Sequence, residues 1–464
     1  MKKKQLRWTL WTIASPFILF IILCILIYLP PIQNFLVDKA AVYASEATGM
    51  NISVGRISLS FPLNLVVTDV DAASPHKDTL LSVRRLQVNV QLLPLLKKQV
   101  EVDGISLQGA TVNSNDLIHG MRLNGTLGEL FISSHGVALD PETAIVNKVL
   151  LKDTDLSLCL NDTAAADTAA SDTTYWKIIL QDIDLQNVSF ALDMPLDSLS
   201  LAASLDNATL RDGLIDLHKS AYSLQTFRIK NGRVRYDSGR PSATASADSL
   251  SAGLDPSHIA LTDIGVKLDS LYYEGRNMKA IISQFVLKER SGVEIVSTEG
   301  RLVSNDKVLR VPSLKLETRD SYLELNAAMD WDALDFKKEG LVSARLMADI
   351  GKPDVVRFMG SMDEKFIRKY PSEPLRIRTG IDGDLNKLKL TTLTAELPGA
   401  LELFAKGELT SLTDSLLRGG DITLQAETKD LKFISTLAEG IEIPYGTRLE
   451  GKFTMAGPKM GTDL

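Results

Sequence analysis

Cysteine and aromatic residues are scarce in this sequence. The 464 residues include two cysteines, and aromatic residues make up 6% of the chain. Cys24 lies inside a long apolar run, so a disulfide to Cys159 is not expected and the fold must be stable without covalent cross-links. The shortage of aromatic side chains also argues against a thick second layer over any sheet that the chain forms.

Catalytic motifs and an excess of positive charge are absent as well. The five histidines are scattered without the spacing of metal ligands, and no HExxH, GxSxG, GxGxxG or phosphate-binding loop occurs. The net charge of -7 gives no electrostatic support to a nucleic-acid partner. The sequence therefore predicts a protein that is not an enzyme, with no cofactor, no metal and no nucleic-acid partner.

The first strong feature that is present is an uncharged run of 22 residues, Trp8–Leu29. A helix that rises about 1.5 Å per residue spans about 30 Å over such a run, which matches the hydrocarbon core of a bilayer. Basic residues precede the run, and the first charge after it is Asp38, so the N-terminus is predicted to be cytoplasmic and the rest of the chain to lie outside the inner leaflet. Trp8, Trp11 and Tyr28 stand near its ends, where aromatic rings favour the membrane interface.

Two other interpretations of this run stay open. A cleaved signal peptide is disfavoured because the run is long for such a segment and the nearest small-residue site, at 42–44, lies far beyond it. A lipoprotein signal at Cys24 is disfavoured because the preceding residue, Leu23, is not small.

Residues 31–49 are predicted to form a short amphipathic helix. Pro30 and Pro31 end the membrane helix and suit the first turn of another, apolar residues follow at helical spacing, and Gly49 can end it. Its polar face lacks a lysine-rich stripe, so it is better suited to plug the end of the following structure than to lie on lipid.

Apolar and polar residues alternate from Asn51 onward, as in Leu86, Val88 and Val90. This period of two predicts strands with one face in an apolar environment and the other in water, whereas buried parallel strands would be uniformly apolar. The sequence therefore predicts a mainly β fold with a two-faced antiparallel sheet.

A short pattern occurs five times within this alternation. Two apolar residues stand two places apart, Lys or Gln follows, and a third apolar residue comes seven places after the first, usually with Gly, Asn or Asp in between. Each copy is interpreted as a strand, a turn or bulge, and a second strand. The apolar positions are Ile105, Leu107 and Val112; Val149, Leu151 and Leu156; Ile183, Leu185 and Phe190; Phe227, Ile229 and Val234; and Ile264, Val266 and Leu271.

A longer repeat lies near the end of the chain. Helices are predicted over 354–366 and 430–437, each is followed by strands, and Gly383 and Gly457 stand 74 residues apart (457−383). The second copy stops at Leu464, so the expectation is a longer protein. The predicted divisions are a cytoplasmic stub and anchor (1–30), the amphipathic helix (31–49), an N-terminal β block (50–115) and a repeated β body (116–464).

The residues from Gly49 to Leu59 (GMNISVGRISL), with 65–70, 78–81, 92–97 and 102–107, resemble the start of the AsmA-like and TamB families. The segments 314–317 and 388–409 look like body repeats of TamB. The C-terminal domain of TamB has no counterpart here, so TamB and a shorter AsmA relative both stay open.

This resemblance implies an elongated antiparallel sheet curled into an open hydrophobic groove, anchored in the inner membrane of a Gram-negative bacterium and crossing the periplasm. It implies phospholipid transport toward the outer membrane, with phospholipids, the inner membrane and an outer-membrane barrel protein as partners. The fifteen apolar repeat positions are then the candidates that line the groove. Two alternatives are a scaffold for assembling outer-membrane β-barrel proteins or autotransporters, and a β-rich envelope protein with closed cores that transports nothing.

Overall fold

The structure is a computed structural model that describes most of the chain after residue 48. The residues described are 39, 41–42, 45–46, 49–60, 64–74, 79–91, 102–114, 120–138, 142–161, 175–239, 253–335, 338, 340–359, 364–384, 386–412, 416–436, 444–457 and 459–463. The predicted anchor and its interface residues Trp8, Trp11 and Tyr28 lie outside the described residues, as does most of the predicted helix 31–49. Of the helices that are described, none is long and apolar enough to cross a membrane.

The chain divides into two compact units, Met1–Leu196 and Asp197–Leu464. Both are mainly β, as the alternation predicts. The predicted boundaries at 30, 49 and 115 all fall within the first unit, and they stay predictions.

The first unit contains a sheet whose strands pair in chain order. The strands are β1 (Asn51–Ser60), β2 (Asn64–Ala73), β3 (Thr79–Val90), β4 (Val102–Asn113), β5 (Met121–Ala138), β6 (Thr143–Leu160) and β7 (Lys177–Met194). Every pair from β1 to β6 is antiparallel. The prediction of a purely antiparallel sheet is wrong at one place, because β6 and β7 are parallel. The connection over 161–176 is long enough for the crossover that parallel strands require.

The second unit contains an antiparallel sheet. The strands are β8 (Leu199–Asp216), β9 (Ala221–Leu224), β10 (Thr226–Ser238), β11 (His258–Glu274), β12 (Asn277–Glu289), β13 (Glu294–Ser304), β14 (Val308–Thr318), β15 (Tyr322–Asp330), β16 (Val342–Ile350), β17 (Leu375–Gly383), β18 (Lys387–Leu397), β19 (Leu401–Thr410), β20 (Gly419–Thr428), β21 (Arg448–Ala456) and β22 (Lys459–Asp463). The short strand β9 and the longer strand β10 lie end to end between β8 and β11. From β11 to β22 the strands pair in chain order.

Two short α-helices, α1 (Lys352–Phe358) and α2 (Glu364–Lys369), replace the single helix predicted over 354–366. Gly360 and Ser361, which stand between them, are poor helix formers. The 3-10 helices are Pro195–Asp197, Trp331–Leu334 and Ile434–Thr436. The last one is all that the described residues show of the helix predicted over 430–437. Leu431 and Phe433 both point into a buried cluster, and a spacing of two residues does not fit one face of a helix.

The main buried cluster of the second unit lies at one end of its strands. Phe366, Tyr370, Leu397, Leu431 and Phe433 all have exposed fractions below 10%, and Ala400 is fully buried among them. Three pairs of rings in the cluster have centroids 5.2–5.8 Å apart. The cluster therefore closes one end of the sheet, whereas the rest of the sheet is packed far less densely.

Candidate functional site: two apolar sheet faces

The register of the first sheet places apolar residues opposite one another on all seven strands. Residues that are directly opposite in a sheet share a face, so each such set forms a transverse row. Four rows make up what we call the first apolar face: Leu59, Leu65, Val88, Ile105, Ile132, Val149 and Ile183; Ile57, Val67, Leu86, Leu107, Leu130, Leu151 and Leu185; Val54, Val70, Val83, Ala110, Leu127, Thr154 and Val188; and Ile52, Ala72, Leu81, Val112, Gly125, Leu156 and Phe190.

Side chains of the first apolar face are mostly half-buried. All fourteen residues of the first two rows are neither fully buried nor exposed. Phe190 and Leu81 each remain 37% exposed. A closed core would bury such side chains almost completely. The face is therefore apolar across its whole width, and among the described residues no dense layer packs over it.

A further set of residues, which also runs across the strands, explains how the apolar face stays continuous along each strand. Along each strand the apolar positions change from odd to even numbers, or the reverse, at one point, as between Val83 and Leu86. There Arg84 and Arg85 are both exposed, and Lys152 and Asp153 of β6 are likewise both exposed. Two successive residues facing water reset the alternation, so the apolar residues before and after them share one face.

Most residues at this line have an unusual backbone conformation or no side chain, and Arg84 is the exception. Asp69, Gly109, Asp153 and Asn187 have φ values between 49° and 62°, the left-handed region that Asn, Asp and Gly tolerate best. Gly55, Arg84 and Gly128 fill the positions opposite them. We call Gly55, Asp69, Arg84, Gly109, Gly128, Asp153 and Asn187 the left-handed line.

The strands approach closely along the left-handed line. A Cβ atom on Gly128 would lie 2.8 Å from the Cβ atom of Asp153, and one on Gly55 would lie 2.9 Å from that of Asp69. Asn187 donates a hydrogen bond from Nδ2 to Asp153 Oδ1 at 2.9 Å across the parallel pair. Small residues are therefore required at these two glycine positions.

All nine repeat positions predicted within the first unit lie in the first apolar face. The interval of 34 residues between the copies at Val149 and Ile183 equals the register offset of the parallel pair β6–β7. The middle residue of each copy, Gly109, Asp153 or Asn187, belongs to the left-handed line. The strand register continues without a shift across these residues, so the pattern marks a left-handed position within one long strand. Contact of these nine residues with lipid stays a prediction.

The second unit uses the same device over β8, β10 and β11. Phe227, Ile229 and Val234 of β10 lie opposite Leu210, Ala208 and Ala203 of β8. Leu268, Val266 and Leu261 of β11 lie opposite the same three β10 residues, and Ile264 lies opposite Gly232. Asn231 and Asp263 are left-handed, with φ of 51° and 52°. Asn231–Gly232 is thus a bulge within β10 instead of a tight turn, and Leu271 lies opposite Leu224 and Ala280.

Polar partners hold the bulges of the second unit. Asn231 Nδ2 donates to Asp206 Oδ2 at 3.0 Å, and Lys288 Nζ lies 2.8 Å from Asp263 Oδ2. The hydrogen bond to Asp263 raises the pKa of Lys288 above its usual value. These contacts lie on exposed side chains, so they fix local geometry and add little stability.

Strands β14–β21 carry four further apolar rows, which we call the second apolar face. The rows are Leu316, Leu323, Ala348, Ile377, Ala395, Leu403, Ala426 and Leu449; Leu314, Leu325, Leu346, Thr379, Leu393, Ala405, Leu424 and Gly451; Val311, Ala327, Ala344, Ile381, Leu390, Gly407, Ile422 and Phe453; and Leu309, Met329, Val342, Gly383, Leu388, Leu409, Gly420 and Met455. Most of these side chains are half-buried.

The opposite face of the same strands is charged. Ion pairs cross neighbouring strands there: Arg378–Asp349 at 2.7 Å, Lys387–Glu408 at 3.1 Å and Lys452–Asp421 at 3.1 Å. A shallow cavity of about 320 Å³ on this face is lined by Glu396, Glu402, Glu427, Arg448 and Glu450 together with uncharged neighbours. The two faces of the sheet therefore differ sharply in polarity.

Chemistry beyond apolar contact has little support in the part of the chain that is described. Within those residues, no group of three or more His, Cys, Asp and Glu side chains is placed to hold a metal ion. In comparisons with known proteins, no protein-family model matches the chain and no curated protein matches it. The candidate site is therefore defined by geometry alone, as the two apolar faces.

Proposed function

We propose that this protein is an inner-membrane-anchored periplasmic protein that carries phospholipids toward the outer membrane along its apolar sheet faces. The observation that carries the proposal is the set of continuous apolar rows, four in each unit, whose side chains are half-buried and backed by a polar face. Such a surface is complementary to acyl chains, and within its rows Thr154 and Thr379 alone carry a polar group.

The energetics of apolar contact suit a sliding ligand. Each buried methylene gains roughly 0.8 kcal/mol, so a lipid with two acyl chains is held without any specific residue. Because successive rows offer similar side chains, a displacement along the sheet costs little. In this proposal the sheet curls into an open groove, head groups stay in water at the slit, and an outside source supplies any energy for transport against a gradient.

The anchor and the location in the envelope rest on the sequence. The uncharged run Trp8–Leu29 and the basic residues before it place the N-terminus in the cytoplasm in this proposal. The resemblance to AsmA-like and TamB proteins adds the periplasm and an outer-membrane barrel partner. A scaffold for outer-membrane protein assembly and a closed β-rich envelope protein are the competing outcomes of the test.

Mass spectrometry of lipid that is purified together with the full chain tests this proposal. The chain is produced in a Gram-negative host, extracted in mild detergent and analysed for bound phospholipid. We expect about one or more phospholipids per chain, and fewer with Leu107→Glu and Leu325→Glu combined, because both charges interrupt apolar rows. A full chain that is folded and free of phospholipid would contradict the proposal.

A further inference from the structure

The ends of the strands line two long sides of the second sheet, which we call its edges. The two edges differ in construction. On one edge, which we call the turn edge, successive strands are joined by the connections 217–220, 275–276, 305–307, 331–341 and 384–386. On the other, the helical edge, lie the connections 290–293, 319–321 and 398–400 together with α1, α2 and the 3-10 helix Ile434–Thr436. Any ligand that reaches the second apolar face from the side must cross one of these edges.

The helical edge is sealed by the aromatic cluster. Phe366 of α2 and Tyr370, the residue that follows α2, pack with Leu397, which lies at the end of β18 on the side of the second apolar face. Leu375 and Leu401, the last apolar-face residues of β17 and β19, contact the same cluster. The cluster leaves Phe366 only 2% exposed and Leu397 only 4% exposed, so a passing acyl chain would have to displace packed rings.

A buried polar network holds α1 in place along this edge. Asp354 is 1% exposed and accepts hydrogen bonds from Ser321 Oγ at 2.6 Å, Arg357 Nη1 at 2.9 Å and the Thr318 hydroxyl. Arg357 also donates to Asp320 at 2.8 Å. Lifting α1 would break the hydrogen bonds that Ser321 and Thr318 donate to Asp354 and the contact of Arg357 with Asp320, which is unfavourable.

The turn edge has the opposite character. An apolar row reaches the strand ends there, and it includes Tyr222, Tyr273 and Met278. Tyr222 and Tyr273 are 40% and 42% exposed, with ring centroids 6.1 Å apart. Beyond them Leu334 and Leu341, in the connection between β15 and β16, are 60% and 63% exposed. Apolar side chains therefore lead from water onto the sheet face at this edge.

From this asymmetry we infer that phospholipid acyl chains enter and leave the second apolar face over the turn edge and not over the helical edge. The inference rests on the proposed function and adds the side from which the ligand approaches. An acyl chain that crosses the turn edge meets exposed apolar side chains, Tyr222 and Tyr273 of β9 and β11 or Leu334 and Leu341 between β15 and β16, and exchanges water for them. Passage over the helical edge would require the cluster and the Asp354 network to open first.

Photo-crosslinking from matched positions tests the inference. The full chain is reconstituted in vesicles of phosphatidylethanolamine and phosphatidylglycerol, with benzoylphenylalanine at one site at a time. Leu334 and Leu341 report on the turn edge, Phe358 and Met359, which are 56% and 47% exposed, report on the helical edge, and Leu325 reports on the middle of the face. We expect lipid adducts at Leu325 and several-fold more at Leu334 and Leu341 than at Phe358 and Met359.

The outcomes separate the two proposals. Equal labelling of both edges, or more at the helical edge, would overturn the inference and leave the proposed function standing. No adduct at Leu325 would overturn the proposed function itself. The circular dichroism spectrum of each variant is compared with that of the unmodified chain. Where an edge variant misfolds, benzoylphenylalanine is placed instead at Leu416 or Leu417 on the turn edge, or at Tyr445 on the helical edge. These three side chains are 76%, 71% and 78% exposed.

Discussion

Half-burial of the apolar side chains determines what a charge costs at each position. Leu107 is half-buried in the middle of the first apolar face, whereas Leu397 is 4% exposed within the aromatic cluster. A carboxylate at Leu107 can reach water, but at Leu397 it would be buried without a partner. We expect Leu107→Glu to lower the free energy of unfolding by about 1–2 kcal/mol and Leu397→Glu by about 4 kcal/mol or more.

Urea unfolding followed by circular dichroism measures both effects. Similar large losses for the two variants would show that the first apolar face is a closed core, which favours the alternative of an envelope protein that transports nothing. Leu107→Ala serves as the control for lost apolar contact without an added charge.

The left-handed conformation of Asn187 gives a second prediction about single residues. With φ of 51°, this position favours Asn or Gly over a β-branched residue. We expect Asn187→Val to destabilise the first unit by about 1–2 kcal/mol and Asn187→Gly to change its stability by less than about 1 kcal/mol, although both remove the hydrogen bond to Asp153. Thermal unfolding of the two variants checks this, and equal losses would show that the hydrogen bond matters more than the conformation.

Single residues also show where sequence reasoning succeeds and where it stops. The apolar positions of the first three repeat copies could be recognised as one set by their spacing, but strict alternation would place the third residue of each copy on the opposite face from the first two. The left-handed residue that resets the alternation was missed, although the signal was present. Leu107 and Val112 are an odd number of places apart, and Gly109 stands between them. The parallel register of β6 and β7 could not be predicted, since it depends on long-range pairing and not on local pattern.

At the scale of elements, we expect the segment that follows α2 and the strand ends beneath it to respond to alkaline pH through Tyr370. Burial raises the pKa of Tyr370 above its ordinary value of 10.0. Below about pH 10 tyrosine is protonated in both the folded and the unfolded chain, so the stabilisation is fully present. As the pH rises toward the folded pKa, the unfolded chain loses its proton more readily and the stabilisation is lost.

We therefore expect the urea midpoint of the second unit to fall between pH 8 and pH 11, and to fall less in Tyr370→Phe. Other tyrosines titrate in both proteins, so the difference between the two curves isolates Tyr370. Parallel curves would show that the Tyr370 hydroxyl stays accessible to water in the folded protein.

Elements were predictable from sequence to different degrees. Strands such as β3 and β19 were predicted because apolar and polar residues alternate along most of their length, with one face toward water. The helix predicted over 430–437 is wrong in its first residues, because Leu431 and Phe433 belong to a compact cluster and point the same way without helical spacing. The sealing of the helical edge depends on the hydrogen bond between Asp354 and the turn at 319–321, and no local sequence pattern predicts that contact.

At the scale of the whole molecule, the proposed function depends on one property of the sheets. Their two faces differ in polarity, and the apolar face is the one that contacts lipid in the proposed function. Neighbouring residues on one strand give a matched pair for this claim. Leu151 lies in an apolar row opposite Leu130 and Leu185, whereas Leu150 lies opposite Phe131 and Asp184 on the other face. Both leucines are half-buried, so they differ mainly in the face they occupy.

Benzoylphenylalanine at Leu151 or at Leu150, followed by photo-crosslinking in living cells and mass spectrometry of the adducts, is the most direct test. The proposed function predicts phospholipid adducts at Leu151 and few or none at Leu150. Phospholipid adducts of equal yield at the two positions, or protein adducts alone at Leu151, would contradict it.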